Sequence, residues 1–189
     1  MHPLRTMLDD AARGTFPPVD GGFDVFAPDA SGRAAIVEFT GHAVVLTDLD
    51  SDTLVSMGAD GFGGASRPEI KWAIAGSGGW VGCHDAVLVA PGRGDETSGP
   101  LTVRTDLDDH PRVIRSLEHR SDVRVLSNTD GVATIGRGLV GRTELSVELF
   151  DDVAHSTATG RALIAACLEH VSLDDHAWAQ VSPGNAASL

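Results

Sequence analysis

Three β-rich runs separated by short turns lie between residues 122 and 150, and they restrict the fold more than any other stretch of the chain. In order, the segments are the alternating run at Val123 and Val125, the turn signal from Asn128 to Gly131, the run Val132 to Leu139, the turn at Gly141-Arg142, and the run Thr143 to Phe150. Connections this short join only antiparallel neighbours, because parallel strands need a long crossover. The stretch therefore predicts a three-stranded antiparallel meander.

Two helices flank this meander in the sequence. Residues 108–120 predict a helix with Asp109 as its N-cap. Its apolar residues share one face and are Val113, Ile114 and Leu117. A second helix, from Gly160 to Val171, has a continuous apolar face, and a strand at 176–183 follows it. The order helix, three strands, helix, strand predicts an α+β fold in which helices flank a mixed, mostly antiparallel sheet.

The first hundred residues are less regular. The segments that predict regular structure are a helix at Leu4 to Ala12, a strand pair within 34–48 that turns at Thr40-Gly41, a short helix at Pro68 to Ala75, and a buried-type strand at 84–92. A polar stretch at 90–100, rich in Gly and Pro, is typical of a linker. We therefore expect an additional N-terminal α/β segment of unassigned role at 1–100 and a second domain at 101–189.

The charge balance argues against several classes of partner. The 189-residue chain has 27 acidic and 14 basic residues, a net charge of −13, whereas nucleic acids and anionic membranes bind basic surfaces. No apolar run approaches the ~20 residues of a membrane-spanning helix, and the N-terminus lacks the pattern of a secretory signal. The sequence predicts a cytoplasmic protein without a nucleic-acid or membrane partner. Its aspartate clusters fit solvated loops or, alternatively, a surface that attracts a cationic amine.

No metal site is predicted. Cys83, His84 and Asp85 are adjacent, but successive side chains of a strand point to opposite faces. Cys83 and Cys167 lack metal-ligand spacing, so we expect both to be reduced and packed. The glycine run at 58–64 has no following Lys-Ser/Thr and is not a P-loop; it is an ordinary surface loop or a flap over a cleft.

A run of small residues, Ser156 to Gly160, stands at the start of the second helix. One interpretation is helix capping, since Ser and Thr accept hydrogen bonds from the first turn. The other is a phosphate cradle, because free N–H groups without bulky side chains around them bind anions. The residues alone leave both interpretations open.

The block from "TELSVELFDDVAHSTATGRALIAACLEHV" to "HAWAQVSPGNAASL" resembles the GNAT superfamily of N-acetyltransferases, above all actinobacterial members with a long N-terminal extension. The resemblance covers roughly residues 105–189. In that family a loop Gln/Arg-x-x-Gly-x-Gly/Ala holds the pyrophosphate of acetyl-CoA at the start of a helix. The loop falls on residues 155–160, where Gly160 matches, His155 replaces Gln or Arg, and Ala158 replaces the first Gly.

The resemblance also implies which residues contact acetyl-CoA, the co-substrate. The next strand should splay from the strand Thr143 to Phe150 and admit the pantetheine arm beside Val147 and Leu149. The implied contacts are Val147, Leu149, Thr157, Ala158, Thr159, Gly160, Arg161 and Asn185, the last at the start of a further helix. The implied activity is transfer of an acetyl group to an amine of a small molecule or peptide.

Two glutamates are the candidate catalytic residues. Glu144, Ser146 and Glu148 share one face of a strand, opposite the apolar Leu145, Val147 and Leu149. Acetyl transfer needs a base for the amine proton, and Glu148 is nearer the loop than Glu144. The alternative is that both are solvent-exposed glutamates. The chain has no tyrosine, the general acid of many family members.

The family pattern continues beyond the residues that end this chain, through a helix into a further strand. We therefore expect the last strand to be missing and the sheet edge to be covered by a second copy, as a homodimer. The weakened loop and the absence of tyrosine leave an alternative function open, a catalytically inactive GNAT-like binding or assembly module.

Overall fold

The computed structural model describes residues 1–94, 100–150, 157–186 and 188, with only the backbone of Thr157. The chain forms two compact units, Met1–Cys83 and His84–Leu189. The fold is mixed α+β and contains a mostly antiparallel open sheet flanked by helices. Among the described residues no helix combines the length and the apolar character that a membrane crossing requires.

The first unit contains a short three-stranded sheet. Its elements are α1 (Pro3–Ala12), β1 (Phe23–Phe26), β2 (Ala35–Phe39), β3 (His42–Leu46), α2 (Ser51–Ser56), a 3-10 turn (Gly64–Ser66) and α3 (Pro68–Ala75). β3 lies in the centre, antiparallel to β2 and parallel to β1, and all its residues are buried. The strand pair turning at Thr40-Gly41 and the helices at 4–12 and 68–75 are confirmed; the turn holds Gly41 at φ +69, which glycine adopts without strain.

The second unit contains a six-stranded sheet. Its elements are β4 (Ala86–Pro91), β5 (Thr102–Val103), α4 (Pro111–His119), β6 (Ser121–Ser127), β7 (Gly131–Arg137), a 3-10 turn (Leu139–Gly141), β8 (Thr143–Leu149), α5 (Thr157–Leu168) and β9 (His176–Val181). The strand order is β4-β9-β8-β7-β6-β5. β6, β7 and β8 form the predicted antiparallel meander, and β9 is parallel to β8.

Two cores cover the two faces of this sheet. On one face, α5 contributes Leu163 and Cys167 to a cluster with Ile135 and Leu145 of the sheet. On the other face, Val113 of α4 packs against Val132 of β7 and Val125 of β6. Val132 and Ile135 differ in parity along β7, so their side chains lie on opposite faces. The sheet is thus sandwiched between α4 and α5.

The division of the chain lies earlier than the expected boundary at 100/101. Strand β4 pairs with β9 over its whole length, from Ala86 with Val181 to Pro91 with His176. It therefore belongs to the second unit, which begins at His84. Local composition could not show this, because the partner strand lies far along the chain. Residues 95–99 of the expected linker lie outside the described residues.

The same pairing overturns the expectation of an uncovered edge beside β9. That edge is occupied by β4, a strand that precedes the meander in sequence. Asn185 does not open a helix within the described residues. Its N–H donates to the Ser182 carbonyl at 2.8 Å, and the Ser188 N–H donates to the Asn185 carbonyl at 3.0 Å, which makes two successive turns.

Four local expectations are wrong. Helix α4 is capped by His110 rather than Asp109, because Pro111 fills the first helical position, where a missing N–H has no cost. On the same helix, Ile114 and Leu117 are exposed. Strand β4 is largely exposed rather than buried, since it lies at a sheet edge. Cys83 is exposed, whereas Cys167 is packed as expected.

Candidate functional site

Strands β8 and β9 separate after a short parallel contact. Their ladder pairs Thr143 with Ala177 and Glu144 with Trp178, although β8 continues to Leu149. On their other sides, β8 stays paired with β7 and β9 with β4 along their lengths. The sheet is therefore split between β8 and β9 beyond the pair Glu144–Trp178. We call this gap the β8–β9 opening.

The alternation of the β7–β8 ladder decides which backbone groups face the opening. The Phe150 N–H donates to the Asp130 carbonyl at 3.0 Å, so the even-numbered residues of β8 turn their N–H and C=O groups towards β7. The odd-numbered Val147 and Leu149 turn theirs towards the opening. Their side chains pack against the core on the α5 face. The contact of these two residues with a pantetheine arm stays a prediction.

Helix α5 follows β8 and begins at Thr157. In a helix that begins there, the amides of Thr157 and Ala158 precede the first intrahelical hydrogen bond, whereas the amide of Arg161 lies within the ladder. The space beside Gly160 is open, because a Cβ added there meets no heavy atom within 4 Å. Arg161 is exposed, so its side chain rather than its amide is available to a ligand.

Part of the predicted loop, namely His155, Ser156 and the side chain of Thr157, lies outside the described residues. Thr159 lies in the first turn of α5 and is half-buried. Asn185 lies in the turns after β9, at the end of the strand that bounds the β8–β9 opening.

Glu148, the predicted base, is half-exposed and paired with an arginine of α4. The Arg112 Nε lies 2.9 Å from the Glu148 Oε2. Glu148 is thus a half-exposed carboxylate on the α4 face of β8.

Glu144 has a different environment. Its side chain is buried, its Oε1 lies 2.7 Å from the Arg142 Nε, and its Oε2 lies 3.2 Å from the Arg120 Nε. Burial lowers the pKa of Arg120, and the charge of Glu144 opposes that effect. A carboxylate fixed between two guanidinium groups has little freedom to receive a substrate proton. Glu144 is therefore placed as a structural anion.

Three hydroxyl groups connect these pairs beneath α4. The Thr134 Oγ1 lies 2.7 Å from both the Ser116 Oγ and the Ser146 Oγ. The Arg120 Nη1 donates to the Thr134 and Ser146 hydroxyls at 3.3 Å each. The α4 face of β8 is thus a continuous polar strip under a helix. The sequence had predicted that this face lines an active-site cleft or, alternatively, is exposed to solvent.

Sequence reasoning missed the arginines of this strip, although signals for them exist. Arg112 and Ser116 are spaced four residues apart on α4, and Arg120 follows four residues later as the C-cap of that helix. Arg142 has the same parity as Glu144 and Glu148 in the adjoining strand. The sequence shows one row of polar residues on the helix and another on the strand. Only the fold shows that these two rows contact each other.

Cys167 is excluded as a nucleophile. Burial raises the pKa of its thiol to about 12, so the thiolate that would react is not formed near neutral pH. Among residues 1–94, 100–150, 157–186 and 188, no group of His, Cys, Asp and Glu side chains is arranged to hold a metal ion.

Comparisons of the chain with protein-family models, with curated proteins and with solved structures find no match.

Proposed function

We propose that this protein is an acyl-CoA-dependent N-acyltransferase, which moves an acetyl group from acetyl-CoA to an amine of a small molecule or peptide. The observation that carries the proposal is the β8–β9 opening. It combines a split between two parallel strands, backbone groups of Val147 and Leu149 turned into the split, and a helix that begins after the first strand. This arrangement is the one that the resemblance to the GNAT superfamily implies.

The opening suits an extended thioester for a physical reason. Pantetheine contains two amides, which need hydrogen-bond partners when they leave water. The N–H and C=O groups of an unpaired strand edge supply such partners in the way that an additional strand would. At the end of the arm, the phosphates of CoA would meet the first amides of α5, near Ala158 and Gly160, where the helix dipole favours anions.

The chemistry assigned to this chain is a proton transfer. The amine nitrogen attacks the thioester carbonyl, the carbon–sulfur bond breaks, and the proton passes from nitrogen to Glu148, directly or through water. The thiolate of CoA then takes up that proton. Glu148 suits this role better than Glu144, because it is half-exposed and pairs with one arginine, whereas Glu144 is buried between two arginines.

A binding or assembly module without catalytic activity is the second candidate. The observation that favours it is the pairing of both strand glutamates with arginines. Under that alternative the fold serves binding or assembly, and no acyl group is transferred. Binding and turnover therefore have to be measured separately.

The test of binding is Gly160→Glu. The new side chain fits into open space and removes a helix-weakening glycine, so the variant should fold. Its charge stands where the phosphates of CoA would lie, and we expect acetyl-CoA binding to be lost. The control is Ala162→Glu, which adds the same charge two residues along the helix at an exposed position.

Calorimetry and thermal unfolding provide the readouts. A ligand at about 100 times its dissociation constant stabilises the fold by about 2.7 kcal/mol, which is a clear shift of the melting temperature. Wild type and Ala162→Glu should show this shift with acetyl-CoA, and Gly160→Glu should not. Absence of heat and of a melting shift in the wild type at millimolar acetyl-CoA would reject the acyltransferase and leave the binding or assembly module. The small residues at 156–160 would then only begin a helix.

A further inference from the structure

A buried arginine at the closed end of the β8–β9 opening has N–H groups for which the described residues offer no acceptor. Arg142 is 1% exposed. Its Nε donates to Glu144, but its Nη1 and Nη2 are buried and have no hydrogen-bond partner. The guanidinium lies over the ring of Trp178, 5.5 Å from the ring centroid, and the Trp178 Nε1 is also buried without a partner. Two neighbouring side chains thus carry three buried nitrogens that have no acceptor among the described residues.

The charge at this place is also unbalanced. Within the part of the chain that the structure describes, Glu144 is the single carboxylate paired with Arg120 and Arg142, and all three side chains are largely buried. Arg120 gains two hydroxyl partners, Thr134 and Ser146, whereas Arg142 gains only the aromatic ring. A buried charge without a full set of partners is strongly unfavourable. A local excess of one positive charge in a chain of net charge −13 indicates a site for an anion.

The backbone beside the site is strained. Val140, two residues before Arg142, has φ 49 and ψ 27, a left-handed conformation that is unfavourable for a β-branched residue. The same turn donates the Leu139 N–H to Glu144 at 3.3 Å. This hydrogen bond places the turn Leu139–Gly141 against the same buried charges. Backbone strain of this kind is common at ligand sites, where the surrounding structure enforces it.

We propose that Arg142 and Trp178 form a binding site for a carboxylate group. The two terminal nitrogens of a guanidinium match the two oxygens of a carboxylate, and the indole N–H adds a third donor. A water molecule would accept hydrogen bonds here but would leave the charge uncompensated. Because the nitrogens are shielded from solvent, the ligand enters when the turn Leu139–Gly141 or the short β8–β9 contact opens. The inference is independent of acyl-CoA binding.

The test uses Trp178 as a reporter. Trp72 and Trp80 are 59% and 69% exposed, so Trp72→Phe and Trp80→Phe leave Trp178 as the single tryptophan at little cost in stability. Sodium acetate is titrated against sodium chloride at equal ionic strength. We expect a saturable change in Trp178 emission and a rise in melting temperature with acetate, and neither with chloride. An equal response to both salts, or no saturable response, would overturn the proposal.

Two variants of the otherwise wild-type chain separate binding from folding. Trp178→Phe keeps an aromatic ring under Arg142 and removes the N–H donor together with the additional volume of the indole. It should fold and should need at least several-fold more acetate for the same melting shift. Arg142→Lys keeps the charge but loses the paired nitrogens, and the acetate response should disappear. If Arg142→Lys does not fold, Trp178→Phe decides: an unchanged acetate response in that variant contradicts the site. A crystal structure with acetate that shows only water at Nη1 and Nη2 would also contradict it.

Discussion

At the scale of single residues, Glu144 and Glu148 have separate roles although they share one strand face. Glu144→Gln leaves Arg120 and Arg142 buried without their carboxylate, so we expect a loss of about 3–5 kcal/mol in the free energy of unfolding. Glu148 pairs with Arg112 at a half-exposed position, where such a pair contributes about 0–1 kcal/mol. Urea denaturation of the two variants measures the difference.

Turnover should show the opposite order if the protein is catalytic. Glu148→Gln removes the proposed base and should lower amine acetylation by about 100-fold or more. Glu144→Gln, assayed at a temperature where it is folded, should keep most of its activity per folded molecule. An equal and negligible effect of both substitutions would move the base to another residue.

His42 gives the first unit a dependence on pH. Its ring is 8% exposed, with Nδ1 3.0 Å from the Asp20 Oδ1 and Nε2 3.3 Å from the Asp24 Oδ2. Ionised carboxylates only accept hydrogen bonds, so the doubly protonated ring is the form that donates to both Asp20 and Asp24. Burial alone would lower the pKa of His42, but the hydrogen bonds to Asp20 and Asp24 outweigh it and raise the pKa above the ordinary 6.5.

The sign of the effect follows from linkage. A group with a raised pKa in the folded chain stabilises fully below its ordinary pKa and loses that contribution as the pH rises through the folded value. His42→Asn should therefore cost about 1–3 kcal/mol near pH 6, and the cost should shrink as the pH rises towards 9. Denaturation curves across this range test it, and a cost that does not change with pH would contradict the doubly protonated ring.

At the scale of elements, β4 is the edge strand that most invites a partner. Val87, Leu88 and Val89 are 42%, 39% and 41% exposed, so neither face of the strand is covered. The Gly92 N–H donates to the Asp175 carbonyl, so the even-numbered residues turn their backbone groups towards β9 and the odd-numbered residues turn theirs outwards. Pro91 is odd-numbered, and its missing N–H therefore costs no hydrogen bond.

We expect a second copy to add its own β4 to this edge. An antiparallel pair of identical strands centred on Leu88 pairs Val87 with Val89 of the other copy, and it brings Asp85 diagonally towards the opposite Arg93. The contact itself is apolar while each copy carries net charge −13, so added salt should strengthen the dimer by screening repulsion. We therefore expect the predicted homodimer to form at β4 rather than at β9.

Light scattering over a range of concentrations tests this interface. Val87→Lys introduces a charge into the paired strands, and the chain should become monomeric. The control is Val103→Lys on β5, the other edge of the sheet, where Val103 is 61% exposed. A dimer that survives Val87→Lys but not Val103→Lys would place the interface at β5. A wild-type chain that is monomeric at about 200 μM would contradict the predicted dimer.

At the scale of the whole molecule, each of the two units has its own sheet and its own core. A fragment of residues 84–189 should therefore fold and unfold cooperatively by itself. A fragment of residues 101–189 lacks β4 and exposes the edge of β9, so it should be less stable and prone to association. Circular dichroism melts of both fragments test the boundary; equal stability would show that β4 contributes little to the second unit.

Local patterns predicted most of the elements. Strand alternation and turn residues predicted the meander and the hairpin at Thr40-Gly41, and helical spacing predicted the two helices that flank the meander. These signals involve only neighbours in sequence. The odd-numbered residues of β8 were expected on the core face, and Leu145 lies in that core. Within the candidate site, the shared face of Glu144 and Glu148 was also read correctly, because strand parity is a local property.

The partners of these elements were decided only by the tertiary structure. No local signal shows that β4 pairs with a strand some ninety residues later. Nor does any local signal show that Arg112 pairs with Glu148, or that Arg120 and Arg142 pair with Glu144. The physical reason is range: periodicity and propensity act over a few residues, whereas strand order, ion pairs and the split between β8 and β9 depend on which surfaces are buried against each other. The sequence thus determined the elements and their faces, and tertiary packing decided the edge strand, the buried charges and the opening.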